Sequence, residues 1–73
     1  MKYTISKKRL DEQGRNEWDT LKTTERKSEA IRYAKTQSKK CLETEVLGLN
    51  EEDGEVEFHA FYRKGRLEIN MSV

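Results

Sequence analysis

Proline is absent from this chain, and cysteine, histidine and tryptophan occur once each. A single cysteine has no partner for an intrachain disulfide, so no cystine framework holds the fold. A structural zinc site draws four ligands, usually Cys and His at short spacings. Here Cys41 and His59 are the only two such residues and lie 18 positions apart, so no metal site is expected. No apolar run approaches the ~18 residues of a membrane span, and no apolar N-terminal segment reads as a signal peptide. The expectation is a cytoplasmic protein with no membrane partner. The four glycines, Gly14, Gly48, Gly54 and Gly65, are scattered, so no glycine-rich phosphate loop is present.

Apolar residues are also scarce. They make up 33% of the 73 residues, against 40% Asp, Glu, Lys and Arg. Such a balance is shared with disordered chains, but the apolar residues here recur with clear periodicity, and the net charge is only +1. A chain this short supports one core, so residues 1–73 are expected to form a single small domain of modest stability, helped by a partner or a second copy. Charge is unevenly distributed. Residues 1–40 hold 12 Lys and Arg against 6 Asp and Glu, and residues 41–73 hold 3 against 8. Two readings follow: a polyanion-facing basic side, or two halves that attract each other across the fold.

Apolar and polar residues alternate from Met1 to Ser6, placing Met1, Tyr3 and Ile5 on one face of a strand. Residues 11–15, with Gly14, read as a turn. A second strand over Glu17–Lys22 closes a hairpin. Its Trp18 and Leu21 are three apart, which a regular strand would put on opposite faces, so a bulge or a short strand is expected. A helix follows. Thr23 or Thr24 is placed to cap it, Glu25 and Glu29 suit its N-terminus, and Lys39 and Lys40 its C-terminus. Ala30, Ile31, Ala34, Ser38, Cys41 and Leu42 form one stripe of mostly small residues, which lets the helix lie close to a sheet. The opposite side, with Glu25, Glu29, Arg32, Thr36 and Lys40, reads as solvated.

Three strands follow. The first spans Thr44–Leu49, with Gly48 leaving space opposite Leu47 and Leu49. Residues 50–54 form a turn with the Asp53-Gly54 signal. The next strand, Glu55–Arg63, alternates Val56, Phe58, Ala60 and Tyr62 with Glu57, His59, Phe61 and Arg63. Lys64-Gly65 is a tight turn. A last strand over Arg66–Val73 sets Leu67, Ile69, Met71 and Val73 against polar residues. The order is β-β-α-β-β-β, an α+β domain with one helix packed on one face of a mostly antiparallel sheet of four to five strands.

One helix leaves the other sheet face for water, a partner or a second copy. His59, Phe61 and Arg63 lie on that face, with Leu47 and Leu49 beside them, a candidate protein-binding patch. The alternative is that sheet curvature or the N-terminal hairpin covers it. The last strand, if at an edge, offers open backbone groups to a partner's strand.

Catalytic chemistry finds little support. Cys41, on the small-residue stripe, reads as a packed small hydrophobe, and His59 as a half-buried strand residue. The acidic turn at 50–54 has oxygen ligands but lacks the spacing of an EF-hand loop. Neither a cofactor nor a small-molecule substrate is expected. Nucleic acid is the main alternative partner. Lys7, Lys8 and Arg9 end the first strand, Arg15 lies in the adjoining turn, and Arg26 and Lys27 open the helix. Clustered cations of this kind bind phosphates by releasing counterions. Over residues 3–40, a basic hairpin followed by a helix start (Thr24 to Ala30) resembles the arm-binding N-terminal domains of phage integrases. Those domains place three strands before the helix where this chain has two, so no residue's role transfers. Against nucleic acid stand a pI of about 7.8 and an acidic C-terminal half. The leading expectation is therefore a non-enzymatic protein-binding module, an accessory or inhibitor protein of bacterial or phage type. It would act on an unidentified protein partner or by homodimerisation.

Overall fold

The computed structural model describes residues 1–10, 12–40 and 43–70. Over this span the chain forms β1 (Lys2–Leu10), β2 (Asn16–Thr24), α1 (Lys27–Ser38), β3 (Thr44–Leu49), β4 (Val56–Arg63) and β5 (Arg66–Asn70). The five strands make one antiparallel sheet in the order β2-β1-β3-β4-β5, with β2 and β5 at its edges. The α+β class and element order expected from periodicity are those observed.

Register decides which residues meet the helix. Tyr3 pairs with Gly48, Ile5 with Val46, Val46 with Ala60, and Gly48 with Phe58. Paired residues share a face, so Tyr3, Ile5, Val46, Phe58, Ala60 and Tyr62 converge under α1 and are buried. Ala30 and Ala34 of α1 are fully buried against them. Their single methyl groups allow the close approach that the small-residue stripe implied. Thr44 is also fully buried, and its hydroxyl donates to the Ala34 carbonyl at 2.8 Å. This bond satisfies a polar group that burial would otherwise penalise.

Several local expectations need correction. The helix does not begin at a threonine cap: Thr23 and Thr24 belong to β2, and Arg26 occupies the cap position without a side-chain bond. Thr24 still contributes, since its hydroxyl accepts the Arg26 N–H at 3.2 Å. Glu29 keeps solvent access on the outer side but is not free there: it is paired with Lys22 at 2.7 Å, and that hydrogen-bonded ammonium holds its carboxyl below the usual range. Gly48 leaves no space, because a methyl group there would sit 2.8 Å from Tyr3 Cε1 and 3.0 Å from Phe58 Cβ. Val56 is exposed, because a register shift beside Leu49 sets it opposite that residue rather than in line with Phe58. Leu67 pairs with Tyr62 yet stays 49% exposed, at the sheet edge. The bulge expected near Trp18 and Leu21 is present. Pairing passes from Ile5–Lys22 to Ser6–Thr20 and leaves Leu21 without a β1 partner. Cys41, Leu42, Met71, Ser72 and Val73 lie outside the described residues.

Candidate interaction face

The face of the sheet away from α1 is built by the residues that alternate with the core. On β4 these are His59 and Phe61, and on β3 they are Glu45, Leu47 and Leu49, with Glu45 opposite Phe61 and Leu47 opposite His59. The rings of His59 and Phe61 lie 4.5 Å apart, centroid to centroid, at 44°. His59 Nε2 is 2.8 Å from Glu45 Oε2. A carboxylate only accepts, so this nitrogen carries the proton and donates. All five side chains are half-buried.

Trp18 completes the cluster. It lies on edge strand β2 opposite Lys8 of β1, and its ring stands 6.0 Å from that of Phe61 on β4. Three strand spacings separate β2 from β4, about 14 Å in a flat sheet. The two rings therefore lean toward each other over β1 and β3, on a sheet that curls. Ser6, on this face between them, is buried, while Trp18 itself remains 39% exposed. Sequence alone does not assign Trp18 to the patch. Its neighbours Glu17, Asp19 and Thr20 are all polar, so the strand gave no apolar alternation, and the bulge at Leu21 obscured its side. The one usable signal was a lone tryptophan on an otherwise polar strand. Part of the alternative reading also holds, since the hairpin does lean over the patch, though it adds an aromatic to it.

Arg63 does not belong to the centre of this cluster. It is exposed at the end of β4, where its cross-strand partner is Arg66. The six basic residues considered for nucleic acid do not make one surface. Lys7 pairs with Thr44 on the helix side, whereas Lys8 pairs with Trp18 on the other. Lys8 lies 3.8 Å from Glu43. Arg9 is held by Glu17 at 2.8 Å and Asp19 at 2.7 Å. Arg15 is exposed in the hairpin turn. Arg26 and Lys27 sit at the opposite end of the sheet, with Lys27 Nζ 4.4 Å above the Phe58 ring. The charged pairs along β2 also protect that edge, a common defence against unwanted strand pairing.

Among the described residues no three of His, Cys, Asp and Glu converge as metal ligands. In the acidic turn, Asn50 Oδ1 accepts the Glu52 N–H and Asp53 Oδ1 the Glu55 N–H, both at 2.9 Å. No helix among the described residues is long and apolar enough to cross a membrane. No protein-family model matches the chain, and neither a curated protein nor a solved structure matches it.

Proposed function

We propose that this chain is a non-enzymatic protein-binding module, an accessory or inhibitor protein, that grips its partner with the sheet face opposite α1. One observation carries the reading: Trp18, Phe61 and His59 stand in ring contact on the sheet face away from α1, with Trp18 still partly exposed. Aromatic side chains flanked by aliphatic ones, here Leu47 and Leu49, are the composition of interface centres. The hydrogen-bonded Glu45–His59 pair gives the patch a polar mark that a partner can read. The same carboxylate disfavours a phosphate backbone on this face, which favours a protein occupant with apolar side chains.

The test is affinity capture with the tagged wild-type chain, Trp18→Ala and Phe61→Ala, together with sedimentation of each purified protein. Truncating an aromatic at an interface centre typically costs 2 kcal/mol or more, on the order of thirtyfold in affinity. Both variants should lose a partner, or lose self-association, while circular dichroism shows an intact fold. Equal capture and equal sedimentation by all three proteins would overturn the reading.

A further inference from the structure

The charge that sequence divides between two halves is re-sorted in space. Strand β4 runs from the acidic 51–57 segment to Arg63, and α1 runs from Lys27 toward the β4–β5 turn. The C-terminus of α1 and that turn therefore meet at one end of the molecule. Ser38 joins them: its hydroxyl accepts the Gly65 N–H at 2.8 Å, and its carbonyl accepts the Lys64 N–H at 3.3 Å. The Lys39 side chain lies across the turn, close enough that a methyl group on Gly65 would stand 2.8 Å from Lys39 Cε. Lys39, Lys40, Arg63, Lys64 and Arg66 are all exposed here, and among the described residues none of them enters an ion pair. Arg63, Lys64, Arg66 and, among the described residues, the one carboxylate Glu68 line a shallow, open depression.

Two local features of this turn run against its own stability. Both loop residues have positive φ, 54° at Lys64 and 79° at Gly65, the signature of a type I′ turn. Glycine suits its position, but the first belongs by preference to Asn, Asp or Gly, and lysine there is strained. Arg63 and Arg66 face each other as direct cross-strand partners, and like charges so placed repel. An anion held between them removes the repulsion and gives the lysine a purpose, since paired guanidinium groups match the oxygens of a phosphate.

We propose that this end of the molecule binds the phosphodiester backbone of a single-stranded nucleic acid, independently of the protein-binding face. The cations are spread around the turn, Lys39 on the helix side and Arg63 and Arg66 on the strands, which suits a flexible strand. A duplex, with a persistence length of ~50 nm, cannot wind around so small an end, and a lipid surface is flat. Free phosphate presents one charge centre where Lys39, Lys64 and the arginine pair offer several.

The test is fluorescence anisotropy with a labelled single-stranded oligonucleotide of mixed sequence at 50 and 200 mM salt. Inorganic phosphate and phosphatidylglycerol vesicles serve as competing probes. Three neutralised phosphates, one between the arginines and one each at Lys64 and Lys39, predict an affinity that falls roughly twentyfold between the two salts. The Arg63→Gln, Arg66→Gln double variant should weaken binding about tenfold or more. Lys64→Asn should weaken binding while raising the melting temperature, an outcome that loss of folding could not produce. Lys27→Gln, at the far end of α1, should bind as wild type. The proposal is overturned if the oligonucleotide does not bind, if the arginine variant binds it equally well, or if phosphate or vesicles bind as tightly as the strand.

Discussion

Gly48 shows how one missing side chain sets the core. Tyr3 and Phe58 meet edge to face, ring centroids 6.2 Å apart, and the hydrogen of Gly48 lies where any larger group would strike both. Gly48→Ala should therefore destabilise the protein by about 1–3 kcal/mol, the usual cost of overpacking. Urea unfolding measures this, and an unchanged midpoint would show that the rings give way freely. Tyr62 offers a second test. It is 3% exposed, and burial raises the pKa of its phenol above 10.0. The folded state then keeps a proton that the unfolded chain gives up. Stability from this source is complete below the unfolded pKa and declines as pH rises above it. Denaturation at pH 9 and pH 11 should show a loss that Tyr62→Phe lessens; an equal loss in both proteins would assign the alkaline sensitivity elsewhere.

Among the elements, α1 depends on its ends more than on its own propensity. A twelve-residue helix is marginal in isolation, and its N-cap lacks a side-chain bond. Thr24 at one end and Ser38 at the other tie it to the sheet instead. Ser38→Ala would remove the acceptor for the Gly65 N–H and cost about 1–2 kcal/mol. Amide exchange at Lys64 and Gly65 should then speed up by roughly tenfold, ahead of the core strands. Exchange at wild-type rates would mean the turn stands without its anchor. The bulge in the β1–β2 pairing matters in the same way. By leaving Leu21 out of register it allows Trp18 and Lys22 to serve opposite faces, one toward Phe61 and the other toward Glu29 and Tyr33.

For the molecule as a whole, topology converts a split in sequence into a split in space. Antiparallel pairing of β1 with β3, and of β3 with β4, carries Lys7 and Tyr62 to the same end through Thr44. The 51–57 segment and the helix start lie at the other end. Eight residues of β4 span about 25 Å, most of the way along a body 37 Å long. The protein thus offers two separate surfaces, an aromatic sheet face and a cationic end. Their two tests use different variants and can fail independently.

Local pattern was enough to read the element order, the small-residue side of α1 at Ala30, Ala34 and Ser38, the turns at Gly14, Gly54 and Gly65, and the face of β4 that carries His59 and Phe61. These follow from periods of 2 and 3.6 residues and from glycine's freedom at positive φ, all of them local properties of the chain. The strand order, the close packing at Gly48, the reach of Trp18 to Phe61, and the meeting of Lys39 with the β4–β5 turn emerge from the folded chain alone. Each of these joins residues distant in sequence. Their proximity rests on register, twist and helix docking, and no local pattern of side chains encodes those.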